Sequence, residues 1–411
     1  MLSTHTASLH FAKTTQPSIS LNFREDLLSM KQPRFEHRTV FLPDIDLDGY
    51  VFRAVIDWIA VRFHFLDKTQ HQWIQDILVH RFGRKCWIDT IEPGWGNESD
   101  QFVIRFQEPV SAAQVHEISE VISRKFGELY APVVAAIEVS VDAYPKVPSA
   151  NARSLLLGVM QKTCFTKQNV FELGCDRPRY SIERGKAPVF LFPKPVGAKG
   201  FAGSHAWCWP QGDRTPPVDG TLSIGQKGGP VMMKLMDKVV DCQNVGAATH
   251  QELIEEAKRT RIEVTLNDSV LQDLGVRTIK DLRGFSFCKL QGNYFQFMLP
   301  TFRGPSTGEA KISTLANKEF EGRRKEKFLS TGMLGLLAFD HGWADVQKIH
   351  RKDLHRFLRE RGQRVKPKRR GLGQARSYLA YAELSGRVAT ALRQLSGREK
   401  KAWDGWGRLR P

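Results

Sequence analysis

The order of apolar and polar positions divides the chain into a strand-rich first part and a helical last part. From about residue 51 to residue 144, apolar runs alternate with amphipathic stretches, which is typical of strands separated by helices. The predicted segments are a strand at Val55–Phe65, a helix around Gln70–Phe82, strands at Cys86–Ile91 and Gln101–Gln107, a helix near Ala112–Phe126 and a strand after it. Residues 1–49, interrupted by prolines, are predicted to be irregular, and residues 145–220 to form long loops with short strands.

The segment after residue 220 predicts a β-hairpin. Its strands are Gly220–Gly225 and Val231–Val240, joined at Gly228 and Gly229. A helix around Gln251–Lys258 is predicted to lead into a strand at Arg261–Leu266. Because helices and antiparallel strands alternate without a parallel β-α-β rhythm, the predicted fold class is α+β. We expect an antiparallel sheet core with helices, followed by a C-terminal helical region.

The chain becomes helical after about residue 312. One predicted helix, Phe320–Ala338, ends at Asp340-His341-Gly342, and a second runs from Ala344 to Arg361. The second helix carries a dense basic face that includes Lys348, Arg351, Lys352 and Arg356. Two helices around a short Gly-containing turn resemble a helix-turn-helix, which would lay the basic helix on DNA. An ordinary helical hairpin with a solvated basic face fits the pattern equally well.

The composition and net charge of the chain indicate which class of partner it binds. The chain has 411 residues, a formal net charge of +17 and a pI near 9.7, which favour a polyanion such as nucleic acid. No apolar run reaches the roughly 18–20 residues that a membrane span needs, and the N-terminus does not have the pattern of a secretory signal. The six cysteines are scattered without metal-site spacing, which fits reduced thiols in a cytoplasm.

Much of the positive charge lies near the C-terminus. Residues 361–411 contain 14 basic and 3 acidic residues. The run from Arg364 to Gly371 combines basic residues with Pro and Gly, and it predicts a mobile linker that contacts phosphates or, equally, a plain solvated tail. Its cations include Lys366, Lys368, Arg369 and Arg370. Residues 375–395 return to helical spacing.

Three predicted strands carry carboxylates among β-branched residues. Glu138 and Asp142 are four positions apart on one strand, so both side chains point to the same face. Carboxylates side by side repel unless a cation lies between them, and oxygen ligands suit Mg²⁺ or Mn²⁺. With Asp57 and Glu263 on the other two strands, the sequence predicts a metal site. The alternative is that these acids occupy the solvent face of an antiparallel sheet.

Five motifs in order resemble the filamentous-phage replication initiators of the gene-two/X type and, more distantly, the rolling-circle replication initiation factors of plasmids. The resemblance covers roughly residues 55–360, and no single motif is specific. The motifs are Val55–Val61 with Ile-Asp-Trp, Ala136–Asp142, the Gly-Thr strand Gly220–Gly225, the strand Lys234–Lys238, and Arg261–Leu266 followed by a short segment to Gly275. Two positions of the second motif depart from the pattern, with Ala136 replacing an Arg and Glu138 replacing an Asp.

The resemblance implies a DNA-nicking enzyme that starts rolling-circle replication at a phage or plasmid origin. A tyrosine would attack a backbone phosphate beside a carboxylate-held Mg²⁺ or Mn²⁺, Lys238 would offset charge on the phosphate, and Lys234 and Arg261 would contact DNA. The implied partners are the double-stranded origin, the displaced single strand, and the host replication helicase and polymerase in the bacterial cytoplasm. The implied divisions are an irregular segment at 1–49, a nicking domain at 50–312, a helical hairpin at 313–363 and a basic tail at 364–411.

One departure from the family pattern affects the nucleophile. The tyrosine of the Lys-x-Tyr-x-Lys strand is Met236 here, and a thioether cannot attack phosphate. The remaining candidates, in order, are Tyr144, Tyr180 and Tyr294. Tyr144 lies two residues beyond Asp142 and therefore faces the same side of the sheet, although an aromatic residue that merely ends a strand is the simpler interpretation. The alternatives are a non-catalytic DNA-binding regulator derived from such an initiator, and an RNA-binding protein.

Overall fold

The computed structural model describes residues 3–30, 32–167, 177–183, 186–192, 213–241, 251–304, 312–362 and 378–408, and it confirms the α+β class. The strands are β1 Ser3–Leu9, β2 Ile19–Leu27, β3 Arg38–Pro43, β4 Tyr50–Gln70, β5 Trp87–Ile91, β6 Glu98–Gln107, β7 Tyr130–Pro145, β8 Cys164–Phe165, β9 Arg179–Ser181, β10 Val189–Phe190, β11 Thr221–Ile224, β12 Val231–Lys238, β13 Arg259–Asn267, β14 Gln296–Leu299, β15 Thr301–Arg303 and β16 Leu379–Ala380. The helices are α1 His71–Phe82, α2 Ala112–Phe126, α3 Ala150–Thr163, α4 Asp268–Asp273, α5 Cys288–Tyr294, α6 Ile312–Glu360 and α7 Ala382–Arg408.

A nine-stranded antiparallel sheet forms the centre of the molecule. Its strand order is β10-β9-β11-β12-β13-β7-β4-β6-β5. Alternate residues of the central strands, such as Val139 and Val141 on β7 and Ile262 and Val264 on β13, are fully buried in the main apolar core. All seven helices in the described ranges contribute side chains to that same core. One face of the sheet is therefore covered by helices, and the residues between these apolar positions point to the other face.

A β-bulge in β4 decides which side chains reach that other face. The register between β4 and β7 shifts between Ile56 and Trp58. Ile56 and Ile59 both lie in the main core, three residues apart, so strict alternation is broken between them. The extra residue places Asp57 and Trp58 together on the opposite face of the sheet. A bulge of this kind re-aims a side chain, and here it turns two neighbouring polar groups toward the same site.

The prediction that residues 1–49 are irregular is wrong. They form β1, β2 and β3, which pair with β15 in a separate four-stranded sheet. Leu21 and Phe23 of β2 alternate with solvated residues, but the next inward position is Glu25. Lys325 donates to both Glu25 oxygens at 2.8 and 2.9 Å. Glu25 is thus a charged residue at an inward position, where Lys325 of α6 neutralises its charge. It interrupts the alternation of apolar and polar residues from which the strand would have been predicted.

Two helix predictions are also wrong. Residues 251–258 contain only a short 3-10 turn, Glu255–Ala257, instead of a helix. Conversely, α3 lies in the region predicted to be loops. It carries Arg153 and Lys162 at positions that are 3% and 2% exposed, so its charged residues do not mark a solvent face. Burial raises the free energy of the charged ammonium and lowers the pKa of Lys162 to about 7.

The C-terminal hairpin turns at Gly332, ten residues before the predicted turn at Gly342. Arg324 Nε lies 2.9 Å from Asp340 Oδ1, although 16 residues separate them. A straight helix would hold those residues about 24 Å apart, so the chain folds back between them. Gly332, with φ of 69°, is the non-helical residue inside α6. The Tyr378 hydroxyl also donates to Asp340, at 2.6 Å, and fixes the second arm of the hairpin.

Residues 364–411 are not a solvated tail throughout. The segment from Ala382 is α7, whose apolar stripe lies in the main core. The buried residues of that stripe are Leu384, Val388, Ala391, Leu392, Leu395 and Trp403. The basic positions Lys366, Lys368, Arg369 and Arg370 lie outside the described residues. Removing everything after residue 362 would therefore delete part of the core.

We expect Gly332→Ala to destabilise the protein by about 2–4 kcal/mol, because a side chain at positive φ is strained and the new methyl group would meet backbone. A Cβ at residue 332 would lie 2.6 Å from Lys162 Cα and 2.7 Å from the Lys162 carbonyl oxygen. The matched control is Gly322→Ala in the first arm of the same helix, where a Cβ meets nothing within 4 Å. Urea unfolding should show the control to be unchanged or more stable by up to about 1 kcal/mol. Equal effects of the two changes would contradict the turn.

Candidate functional site

The predicted carboxylates meet where β7 and β13 pair on the face away from the helices, which we call the site face. Antiparallel pairing places side chains of the two strands directly opposite each other. The opposed pairs are Glu138 with Thr265, Ser140 with Glu263, and Asp142 with Arg261. On the outer side of β13, Lys234 of β12 is opposite Glu263, and on the outer side of β7, Trp58 of β4 is opposite Glu138.

Three of the four predicted acids converge. One carboxylate oxygen from each of Asp57, Glu138 and Glu263 lies within 4.8 Å of the other two. Glu138 and Glu263 are 4% and 5% exposed, whereas Asp57 is partly open to solvent. We call these three residues the carboxylate triad. They come from three different strands, and the triad depends on the bulge that turns Asp57 toward the site face.

Asp142 is separated from the triad by an arginine. Arg261 Nε and Nη2 donate to the two Asp142 oxygens at 2.5 and 2.9 Å, and Arg259 Nε lies 3.2 Å from Asp142. Arg261 Nη1 also contacts Asp57 at 2.8 Å and Glu263 at 3.4 Å. Arg261 is only 2% exposed and is shared among three carboxylates, so the structure shows it as an internal partner, and its DNA contact stays a prediction. Its charge is used inside the protein.

Lys234 has a similar internal position. Its ammonium lies 3.2 Å from Glu138 Oε2 and 2.9 Å from Glu263 Oε2, so it bridges two members of the triad. Its side chain is 25% exposed, and its contact with DNA stays a prediction. Glu138 also accepts hydrogen bonds from the Trp58 indole at 2.8 Å and from the Thr265 hydroxyl at 2.5 Å. Every charge at the site is therefore matched by a nearby partner.

Burial and neighbouring charges shift the pKa values of Glu138 and Glu263 in opposite directions. Burial, followed by the nearby Glu263 charge, raises the pKa of Glu138. Burial also acts to raise the pKa of Glu263, but Lys234 and Arg261 outweigh it and lower that pKa. Asp142, together with Asp57 and Glu263, outweighs burial and holds the pKa of Arg261 well above its usual value. Of the two glutamates, Glu138 is thus the one that takes up a proton first as pH falls.

The donor set of the triad fits a hard divalent cation. Carboxylate oxygens are the ligands that Mg²⁺ and Mn²⁺ prefer. Ser140 is fully buried between Glu138 and Asp142 in sequence, and its Oγ has no hydrogen-bond partner among the described residues. An orphaned hydroxyl beside three carboxylates is consistent with a ligand or water in that space. The Lys234 ammonium now holds the position between the glutamates, so a metal ion would have to displace it.

Tyr144 is the only tyrosine candidate that the described structure places beside the predicted acids. Its hydroxyl lies 3.4 Å from Asp142 Oδ2, and Arg259 lies 5.8 Å from its ring centre. Burial and then the Asp142 charge raise the pKa of Tyr144. Six residues of β7, about 20 Å of strand, separate Tyr144 from Glu138. Tyr144 is therefore next to Asp142 on one side of the Arg261 guanidinium, and the triad is on the other side of it.

The other nucleophile candidates lie elsewhere. Tyr180 pairs with Leu222, which pairs with the buried Leu235, so Tyr180 points to the helix-covered face. Tyr294 ends α5 and packs against the main core. Met236, at the family's tyrosine position, is opposite Arg261 on the site face. Lys238, two residues further on the same face, forms an ion pair with Asp241 at 3.4 Å.

The basic helix face is described only in part. Arg351, Lys352 and Arg356 are exposed in the second arm of α6. The side chain of Lys348 lies outside the described residues. None of the helices in the described part of the chain combines the length and apolar character that crossing a bilayer requires.

The comparisons with known proteins include likenesses to solved structures. The chain is similar to a rolling circle replication initiator protein from Geobacillus stearothermophilus, with 12% sequence identity over 66% of this chain and 97% of that one. The TM-score is 0.27, which is too low to establish a common fold. That protein is of the general kind that the motif order resembles, but not of the filamentous-phage type. No protein-family model matches the chain, and no curated protein matches it.

Replacing Arg261 tests how much the stability of the protein depends on the charge of this side chain. We expect Arg261→Met to cost about 3–5 kcal/mol at neutral pH, because it leaves buried carboxylates without their partner. The loss should shrink as pH falls toward about 4, since protonated carboxyls no longer need the cation. Arg323→Met is the matched control, because Arg323 is 43% exposed and its ion pairs with Glu319 and Glu326 lie at the surface. A urea-unfolding series across pH measures both, and a pH-independent loss would contradict the charge argument.

Proposed function

We propose that the chain is a DNA-nicking replication initiator that cuts one strand by tyrosine transesterification at a phage or plasmid origin. The observation that supports this proposal is the carboxylate triad on the uncovered side of the sheet. Three acids from three strands converge there, and a phenol lies on the same face. A protein that only bound phosphates would gain nothing from buried carboxylates at its binding face, because they repel the ligand.

Asp57, Glu138 and Glu263 are the residues that would hold Mg²⁺ or Mn²⁺. When bound, the ion would neutralise and orient the scissile phosphate. Lys238 lies further along β12 on the same face and is the residue proposed to offset charge on the phosphate in the transition state. Arg261 keeps Asp142, Asp57 and Glu263 in fixed positions, which preorganises the site before DNA binds.

Tyr144 is the proposed nucleophile. Its oxygen attacks phosphorus, the bond from phosphorus to the 3′ oxygen breaks, and the products are a 5′-phosphotyrosyl link and a free 3′-hydroxyl that primes synthesis. The phenol loses one proton and the leaving 3′ oxygen gains one. Because Tyr144 lies beside Asp142 and not beside the triad, the reaction would require the DNA strand to bring its phosphate across Arg261.

The proposed partners are the duplex origin, the displaced single strand, and the host replication helicase and polymerase. The exposed cations Arg351, Lys352 and Arg356 on the second arm of α6 would contact the duplex origin. An initiator that frees a 3′-hydroxyl needs a helicase to unwind the strand and a polymerase to extend it, which places the protein in a bacterial cytoplasm. The displaced single strand is then its second nucleic-acid ligand.

The test is covalent capture of nicked DNA. Purified protein is incubated with supercoiled phage-type DNA and Mn²⁺, and nicked circles bound to protein are measured. Tyr144→Phe should abolish capture while DNA affinity is kept, because only a hydroxyl is lost. Tyr180→Phe and Tyr294→Phe are matched controls that should retain it. Asp57→Asn, or chelation of the metal, should also abolish capture. Full nicking by Tyr144→Phe would contradict the assignment of the nucleophile.

The second candidate is a non-catalytic DNA-binding regulator derived from such an initiator. Two observations favour it: Lys234 and Arg261 already contact all three carboxylates of the triad, and Met236 faces the site at the position of the tyrosine in the motif that the sequence resembles. The substitution Met236→Tyr distinguishes the two candidates. If the wild-type protein binds DNA without nicking it and the Met236→Tyr variant forms a covalent complex, the chain is a regulator that has lost its nucleophile. If wild type nicks and Met236→Tyr adds nothing, the catalytic proposal stands.

A further inference from the structure

The site face continues beyond the triad onto the strands at the β5 edge of the sheet. Residues on β4, β6 and β5 alternate between the two faces, and those whose neighbours lie in the main core point to the site face. Ile59 and Val61 of β4 and Ile104 and Phe106 of β6 are fully buried on the helix side. The residues that point to the site face are Trp58, Ala60 and Arg62 on β4, Val103, Arg105 and Gln107 on β6, and Trp87 and Asp89 on β5.

No described helix covers this part of the sheet. Trp58, Ala60 and Ala136 form a small apolar cluster of their own, with Val103 and Ala135 packed against it. Within the described ranges, every helix contributes to the other cluster and none contributes to this one. Trp87 is 64% exposed. Trp87 thus presents an open aromatic ring beside the charged site, whereas the neighbouring Trp58 is only 9% exposed.

Three side chains define the surface: Trp58, Trp87 and Arg105, which we call the stacking platform. Trp87 and Arg105 are directly opposite each other across β5 and β6. The Arg105 guanidinium lies over the Trp58 ring, 4.5 Å from its centre. The Trp87 indole donates to Asp89 at 2.7 Å, and the Trp58 indole donates to Glu138 at 2.8 Å. These hydrogen bonds fix the ring orientations before any ligand arrives.

Arg105 carries a charge that the described structure does not neutralise. Its guanidinium contacts the Trp58 ring, and among the described residues it forms neither an ion pair nor a hydrogen bond; the buried Nε is without a partner. Two other arginines of the site face are paired, Arg261 with three carboxylates and Arg62 with Asp268 at 3.1 Å. A guanidinium held over one indole ring, with a second indole opposite it on the neighbouring strand, is complementary to a ligand that offers both negative charge and a π-face.

We propose that the stacking platform binds an unpaired DNA strand, with bases stacked on Trp87 and on the Trp58–Arg105 pair. Unpaired bases expose their faces, whereas the bases of a duplex are already stacked on one another and cannot use an exposed ring. The assignment of DNA as the nucleic acid rests on the proposed function. The stacking of an unpaired strand rests on the platform alone.

The platform is connected to the triad. Trp58 is one residue from Asp57 and is hydrogen-bonded to Glu138. From Trp87 on β5 to Glu138 on β7 there are three strand spacings, about 14 Å. A strand whose bases stack on the platform would therefore run toward the carboxylates with its phosphates within reach of the site. The platform would select which phosphate is presented to the triad.

The experiment measures equilibrium binding of the full-length protein to labelled oligonucleotides of about 16 nucleotides by fluorescence anisotropy. The probes are single-stranded DNA, the duplex of the same sequence, and single-stranded RNA of the same sequence. We expect Trp87→Ala and Arg105→Gln each to weaken single-strand binding at least about fivefold, with the duplex affinity unchanged. The matched control is Trp73→Ala, because Trp73 is 56% exposed on α1, on the helix-covered side.

Each outcome decides the proposal. Equal single-strand affinity in Trp87→Ala, Trp73→Ala and wild type would overturn it, and so would an equal loss of duplex affinity in Trp87→Ala. Tighter, Trp87-dependent binding of RNA would overturn the choice of DNA while keeping the platform. Because Trp87 is exposed, its removal should not disturb folding, which thermal melting checks for the half-buried Arg105. Failure of the nicking proposal is seen separately, since Tyr144→Phe should keep single-strand affinity whether or not wild type nicks.

Discussion

The buried guanidinium of Arg261 is the interaction on which the rest of the site depends. It contacts Asp142 on β7, Asp57 on β4 and Glu263 on its own strand, all on the side of the sheet away from the helices. An unpaired buried carboxylate costs several kcal/mol, so these acids can lie together only with a cation among them. Lys234 does the same for the two glutamates. The protein's own cations Arg261 and Lys234 therefore lie among the carboxylates, and binding of Mg²⁺ or Mn²⁺ stays a prediction.

One face of the sheet packs in the apolar core, and the other face carries the site. The bulge in β4 allows this strand to contribute side chains to both faces. The apolar face packs against helices α1, α2, α3, α4 and α7 and supplies the stability that a buried charge cluster requires. The other face is free of described helices around the triad and the stacking platform. By shifting the alternation after Ile56, the bulge keeps β4 in the core and still presents Asp57 and Trp58 to the same site. A competition between Lys234 and a metal ion would give that site two states, one charge-balanced at rest and one open to phosphate.

Local patterns predicted much of the architecture. Helix α2 has the predicted bounds, Ala112–Phe126, because its apolar spacing and its Ser111 cap are both local signals. The hairpin of β11 and β12 turns at Gly228 and Gly229 as expected, and strand period two correctly placed Glu138 and Asp142 on one face. These features depend on residues close together in sequence. The N-terminal strands and α3 were missed because Glu25, Arg153 and Lys162 are charged residues at buried positions.

By itself, the sequence determined the α+β class, the strands that carry the acids, and the common face of Glu138 and Asp142, since all three follow from hydrophobic periodicity. The face of Asp57 was decided by the bulge in β4, which periodicity does not predict. Only the tertiary structure decided which cation meets which carboxylate. Arg261 and Asp142 are 119 residues apart, and no local rule pairs them. The turn at Gly332 was likewise decided by the close approach of Lys162, and the open platform of Trp87 and Arg105 by where the helices pack. Long-range packing sets these features, because burial and charge pairing are properties of the assembled fold.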